Sequence, residues 1–341
     1  MQEKRQSALS TIVSSGLTSC REIVSSFLSR IEVFDARINA IISLNPDALA
    51  LAERLDVALA VGNATGPLFC IPVLLKDNYD TSNMNTTGGN LELAGSQPSV
   101  DAPSVVALKR AGAVILGKVN LHELALEGLS VSSLGGQTIK PYDSSRTPGG
   151  SSGGSGAAVA ASFSVTTGTD TVNSLRSPAS ANLLFSIRPT RGLISRIGII
   201  SISYTQDVIR PIARMVEGVA TALTVMANGG FDSTDNATAL VPEISRGLDY
   251  TVSLTTGNLK GIRFGVLNGF FNRTGGDETT PVNNAMDKIV RKLHSAGAII
   301  IPINETIYNA TTIGNLDAQR FEYRESMNSY LSQPSLDGAH P

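Results

Sequence analysis

TPGGSSGGSGAAVAASFSVTTGTDTVNS, residues 147–174, is the stretch whose reading decides the fold of this chain. It opens on a glycine–serine run (149–156), passes into an alanine-rich segment of helical character, and closes on a second polar turn that carries Ser174. Glycines beside serines lift the steric limits that a Cβ imposes, so a hydroxyl can be held where most residues cannot place one. A flexible glycine–serine linker has a similar composition. Apolar, helix-forming residues follow at once, however, which speaks for a site and against a linker.

Upstream, residues 68–75 (LFCIPVLL) form a short apolar run suited to a buried strand, in which Pro72 marks an edge or a bulge. The run ends in Lys76-Asp77-Asn78. A lysine where a buried strand stops is uncommon, because desolvating an ammonium is costly; the alternative is a side chain that snorkels to the surface. Residues 101–110 read as a helix closed by Gly112, followed by a strand over 113–116 and then Gly117-Lys118. Nearer the start, Ser19 and Glu22 form a capping box, and Ile23, Val24, Phe27, Leu28, Ile31 and Phe34 keep helical spacing on one face. Pro46-Asp47 opens another helix to about Ala60, ended by a turn over 62–66.

Downstream of Ser174, residues 183–187 read as a strand, 189–192 as a turn, 216–227 as a helix and 228–258 as a polar, loop-rich excursion. Residues 261–267, 282–296 and 298–303 read as strand, helix, strand, a βαβ unit whose short crossover favours parallel pairing. These segments divide the chain into N-terminal helices (1–62), a catalytic core (63–227), a βαβ-containing part (228–331) and a polar tail (332–341), all within one domain.

The composition excludes several classes. With 341 residues, 42% hydrophobic and 16% charged, the chain can bury a sizeable core and is not of the disordered type. A net charge of −2 leaves no electrostatic footprint for nucleic acid, and no apolar run is as long as a membrane span. The two cysteines, Cys20 and Cys70, form no pattern from which a metal cluster or a disulfide can be inferred. The start lacks the apolar core of a secretory signal, yet Asn-x-Ser/Thr sequons occur at Asn63, Asn85, Asn236, Asn272, Asn304 and Asn309, where roughly four are expected by chance. The compartment stays open between cytoplasmic and secreted.

Among the chemistries considered, His122-Glu123 lacks the second histidine that a zinc site needs at i+4, so no metal is expected. Gly150-Ser151-Ser152-Gly153-Gly154 has G-x-S-x-G spacing with Ser152 central, but a nucleophile elbow needs a strand immediately before it, and KPYDSSRTP is loop-like. No Gly-Lys-Ser/Thr follows the glycines, which removes a phosphate loop. A serine can instead be activated by a neutral lysine whose pKa burial has lowered. Lys76, Ser151 and Ser174 can form such a chain, with the backbone N–H groups around Thr171, Val172, Asn173 and Ser174 facing the oxyanion. From spacing alone this is one arrangement among several.

TPGGSSGGSGAAVAA, with GTDTVNSLRSPAS after it and IPVLLKDN before it, resembles the amidase signature family, and the resemblance runs from the first helix to near residue 330. It implies an α/β fold, a mixed β-sheet sandwiched by α-helices, with no metal or organic cofactor. It implies that Lys76 is the general base, Ser151 a relay serine preceded by a cis peptide, and Ser174 the acyl-forming nucleophile. Asp170 and Arg176 would tie the nucleophile turn together, with Ser152 in support. The implied reaction is hydrolysis of a small-molecule carboxamide to an acid and an amine or ammonia. A component of a transamidation complex that releases ammonia from glutamine, or a catalytically silent member, are the alternatives; the oligomeric state is open.

Three departures from the family pattern carry expectations of their own. Val172-Asn173 stands where most members have Gly-Gly, so the turn is expected to be β-like or to have an altered oxyanion hole. Arg210 stands where similar proteins usually carry glycine, and either intrudes on the acyl pocket or points to solvent. Members commonly continue for another hundred residues or so, and the chain reads as shortened, with C-terminal core elements missing.

Overall fold

The computed structural model describes residues 6–63, 66–255 and 257–336. These form two compact units: one runs to Thr251 and resumes at Phe321, the other spans Val252–Arg320. In the first unit, helices α1 (Gln6–Ser14), α2 (Cys20–Phe34) and α3 (Ala48–Ala60) and strand β1 (Ile41–Leu44) come first. Strand β2 (Pro72–Lys76), helix α4 (Pro103–Arg110), strand β3 (Val114–Val119) and the short pair β4 (Val131–Ser132) and β5 (Gly136–Gln137) follow. Helix α5 (Gly153–Ala160), strand β6 (Val165–Asp170), helix α6 (Arg176–Ala181), strands β7 (Phe185–Ser186) and β8 (Val208–Ala213) and helix α7 (Val216–Ala227) complete its central run.

Six strands make one mixed sheet in the order β1-β3-β2-β6-β8-β7. β2 runs parallel to both β3 and β6, while β1/β3, β6/β8 and β7/β8 are antiparallel. The alternation of side chains along the strands builds two cores. Val73, Leu75 and Ile115 face a cluster with Val105 and Leu108 of α4 and Leu223 and Met226 of α7. Leu74, Val114 and Leu116 face the opposite cluster with Val24 and Ile31 of α2, Ala52 of α3 and Ala157 and Ala158 of α5. The sheet is therefore sandwiched by helices, as expected.

Details differ from the sequence reading for physical reasons. Pro72 lies in a central strand, not at an edge. It takes the first position, and the register slips one residue on, between Val73 and Leu74 in the β2/β3 pairing. Lys118 lies inside β3 and is fully buried; its amine donates to the carbonyls of Tyr79 (2.8 Å) and Asn85 (2.9 Å) and to Thr86 Oγ1 (3.0 Å), which supply the partners a buried ammonium requires. The strand anticipated over 183–187 shrinks to two residues. Cys20, at the start of α2, and Cys70, just ahead of β2, are joined by a disulfide with a Cα–Cα separation of 5.2 Å, a pairing that the sequence did not disclose. The capping box at Ser19 and Glu22 is formed on both sides.

The second unit contains β9 (Arg263–Leu267), α8 (Thr280–Ser295), β10 (Ile299–Ile303) and α9 (Ala310–Gly314). β9 and β10 pair in parallel, Arg263 opposite Ile299 through Leu267 opposite Ile303, as the strand–helix–strand reading anticipated. Helix α10 (Gln319–Leu331) leads back into the first unit, where Tyr330 and Leu336 are buried with Ile200. Leu336 belongs to the stretch read as a polar tail; residues 337–341 lie outside the described residues.

Candidate active site

Parallel β2 and β6 end on the same side of the sheet, the side at which open α/β sheets build their sites. Lys76 is the last residue of β2, and Thr169 and Asp170 are the last of β6. The Lys76 side chain has 0% exposure, so it does not snorkel. Its Nζ lies 2.7 Å from Ser151 Oγ and 2.8 Å from Thr169 Oγ1. Burial drives the amine down to about 7, against the pull of the Asp207 and Asp170 carboxylates. A buried amine in that range takes and returns a proton near neutral pH.

The glycine run serves close approach more than unusual dihedrals. Ser152 precedes α5, whose eight residues are all buried. A Cβ on Gly154 would meet the carbonyl oxygen of Asn120 at 2.2 Å, so only glycine lets the first turn of α5 lie against the end of β3. This seats Ser151 over Lys76. The peptide between Gly150 and Ser151 is cis, as the resemblance implied. Ser152 donates its N–H to the Ser174 carbonyl (3.0 Å) and its hydroxyl to the Thr169 carbonyl (3.2 Å), which joins the two serine-bearing segments.

Ser174 is 8% exposed. Among the described residues no hydrogen bond joins its Oγ to Ser151 Oγ; the backbone bond from Ser152 is what holds the segments together. Val172 and Asn173 do not take positive φ, and both side chains lie at the exposed surface of the turn, Val172 at 43% exposure. Among the described residues the N–H groups of Val172, Asn173 and Ser174 have no hydrogen-bond partner, leaving three donors beside the Ser174 hydroxyl.

Asp170 organises the turn from below. Its Oδ2 accepts the N–H of Leu175 (3.0 Å) and of Arg176 (3.3 Å). Arg176 Nε stands 3.6 Å from it, Arg188 Nη1 donates to Oδ1 at 2.6 Å, and Arg210 Nη2 donates to Oδ2. Burial pushes the Asp170 carboxyl up, but Arg210, the Leu175 N–H, Arg188 and Arg176 outweigh it and hold the group below the usual carboxylate range. Arg210 is fully buried and does not reach solvent, contrary to one of the two expectations; it pairs with Asp170. Burial lowers its own pKa to about 10 against the pull of that carboxylate.

Arg188, Thr169, Asn78 and Asp207 were missed by the sequence reading. Asn78 donates to Thr169 Oγ1 (3.2 Å) and to the Ile200 carbonyl (3.1 Å). Each has a partner far away in sequence, and only KDN and GTD in the quoted motifs pointed to Asn78 and Thr169. Among the described residues no group of three or more His, Cys, Asp or Glu could hold a metal, and no helix is long and apolar enough to cross a membrane.

The site thus sets a buried lysine against a serine hydroxyl at the ends of two central strands of a mixed sheet sandwiched by helices. The chain matches the Amidase family over residues 22–311 and belongs to it. It is 38% identical over 288 residues to a glutamyl-tRNA(Gln) amidotransferase subunit of Acinetobacter baumannii, covering 84% of this chain and 57% of that protein. It is 37% identical over 327 residues to a probable amidase of Arabidopsis thaliana, covering 92% of this chain and 61% of that protein. Among solved structures, the native peptide amidase of Stenotrophomonas maltophilia superimposes with a TM-score of 0.87 at 36% identity, covering 97% of this chain and 68% of that one. The chain thus spans about three fifths of the length of the curated relatives it matches.

Proposed function

We propose that this protein hydrolyses a linear carboxamide through an acyl-serine intermediate, with Lys76 as base, Ser151 as relay and Ser174 as nucleophile. The observation that carries the reading is the fully buried Lys76 amine, brought down to about 7 and 2.7 Å from the Ser151 hydroxyl. Neutral Lys76 accepts the Ser151 proton while Ser151 accepts that of Ser174, and Ser174 Oγ bonds to the amide carbon. The N–H groups of Val172, Asn173 and Ser174, with that of Thr171 beside them, take up the oxyanion. Collapse breaks the C–N bond, and the proton returns by the same route to the leaving nitrogen. Water then repeats the sequence on the ester and releases the acid. The Ser174–Ser151 hydrogen bond closes as substrate seats, a contact that is commonly long in free enzymes.

Fluorophosphonate labelling with mass-spectrometric mapping tests this. The label is expected on Ser174, lost in Ser174→Ala and retained in Ser152→Ala; labelling that persists in Ser174→Ala rejects the assignment. A second reading, release of ammonia from glutamine for a partner chain, is favoured by the 38% identity to a component of an amidotransferase; it uses the same residues on a free carboxamide. Copurification of a partner together with glutamine-dependent activity distinguishes it. A silent member, the third reading, predicts no turnover of simple aryl amides by purified protein. The Cys20–Cys70 disulfide and the exposed sequon asparagines Asn63, Asn236, Asn272 and Asn304 support an oxidising compartment for the chain.

A further inference from the structure

Asp207 lies just ahead of β8 and is 4% exposed. Its Oδ1 accepts the hydroxyl of Thr171 at 2.6 Å. Its Oδ2 accepts the Ser201 hydroxyl at 2.6 Å and the N–H groups of Ile202 at 2.7 Å and Ser203 at 3.1 Å. Thr171 is the residue between Asp170 and the three unbonded N–H groups that lead to Ser174. The far end of the same loop reaches the strand of the base: Ile200 donates its N–H to the Asn78 carbonyl at 2.9 Å and accepts the Asn78 amide at 3.1 Å. From outside, the Glu322 carboxylate of α10 accepts hydrogen bonds from the hydroxyls of Ser203 and Thr205 and from the Thr205 N–H (3.1 Å). Residues 200–207 therefore form a strut with one foot beside Lys76 and the other under the nucleophile turn.

We propose that Asp207 is a positioning residue for this reaction, whose carboxylate locks the 200–207 strut and holds Thr171, and with it the oxyanion N–H groups and Ser174, in place against Lys76. The proposal rests on the Lys76–Ser151–Ser174 reading. Asp207 also has an electrostatic part. Asp170 faces Lys76 from β6, but Arg176, Arg188 and Arg210 compensate its charge, and the Lys76 charge itself holds the nearby His122 imidazole lower, beside the larger effect of burial. Asp77, next to Lys76 in the chain, is matched by Lys118 at 3.7 Å. Among the described residues Asp207 has no ion pair, and it is the anion that most favours the protonated form of Lys76. Removing its charge therefore moves the Lys76 transition to lower pH.

The test is the pH profile of kcat/KM for Asp207→Asn, Asp207→Glu and Thr171→Val beside the parent and Lys76→Ala. Asp207→Asn is expected to move the acidic limb down by about one unit and to lower plateau kcat roughly ten- to hundredfold through misplacement. Asp207→Glu, which restores the charge, returns the limb towards the parent value. Thr171→Val cuts the tether without changing charge, so kcat falls while the limb stays. A limb that is unmoved or raised in Asp207→Asn overturns the proposal, and so does a parental kcat in Thr171→Val. Should the asparagine variant fail to fold, the Thr171→Val and Asp207→Glu profiles still decide. Retained hydrolysis in Lys76→Ala sinks the underlying reading instead, whatever Asp207 does.

Discussion

At Lys76 the fold sets the proton balance of the proposed reaction. Burial brings the amine down to about 7 while Asp207 and Asp170 pull the other way, and only the neutral amine can accept the Ser151 proton. Activity is accordingly expected to rise as pH climbs through about 7 and to level above it, which a pH–rate profile checks. Stability follows in the same direction. Between about 7 and the ordinary lysine value of 10.5 the unfolded chain keeps a proton that the folded chain has released, so unfolding takes up a proton and the fold gains stability as pH rises through that window. Urea midpoints across the window should rise for the parent and rise less for Lys76→Met. Asp170 is the other decisive residue. Asp170→Asn leaves the fully buried Arg210 without its carboxylate, and breaking such a pair costs about 3–5 kcal/mol. A fall of that size is expected in the denaturant-derived stability, with partial recovery in Asp170→Asn combined with Arg210→Met.

Elements were legible to the extent that their signals are local. The capping box of α2, the apolar run of β2 and the strand–helix–strand of the second unit depend on residues a few positions apart; the structure has the first and the last where they were expected, while β2 occupies only the end of its run, from Pro72. The glycine–serine run was legible as a site but not as the first turn of α5, because its glycines answer to the Asn120 carbonyl on another strand. Pro72 could not be read as central, since that depends on β3 and β6 flanking it. The Cys20–Cys70 disulfide is of the same kind: two lone cysteines carry no spacing signal, and tertiary packing brings α2 to the entrance of β2. It closes a loop of 50 residues, worth about 4 kcal/mol of unfolded-state entropy. Cys20→Ser combined with Cys70→Ser should lower stability by up to that amount, measured by denaturant midpoint, and a reducing agent should do the same to the parent protein alone.

Over the whole chain, the first unit breaks off at Thr251 and resumes at Phe321. Tyr330 of α10 donates its hydroxyl to Asp80 at 2.7 Å across 250 residues of sequence, and Glu322 of the same helix grips the loop ahead of β8. Asp80 is pushed up to about 6 by burial, partly offset by the Tyr330 hydroxyl and by Lys118. Tyr330→Phe strips a buried acceptor of its donor, for which a loss of about 1–3 kcal/mol is expected by denaturant titration. Deleting the chain from Phe321 onward should cost more, because Tyr330 and Leu336 also bury apolar surface against Ile200.

By itself the sequence singled out the glycine–serine run and the lysine after an apolar run, because those signals are expressed over a few residues, and the resemblance these motifs carry implied the mixed α/β class, the candidate base and the two serines. It also exposed Val172-Asn173 and Arg210 as departures. Only the tertiary structure decided that Arg210 is buried, that one carboxylate answers three arginines, and that Asp207 ties Thr171 to the loop over residues 201–203. Charges and hydrogen bonds act through space, and segments as far apart as residues 76, 151, 174 and 207 meet only after the sheet has set its strand order.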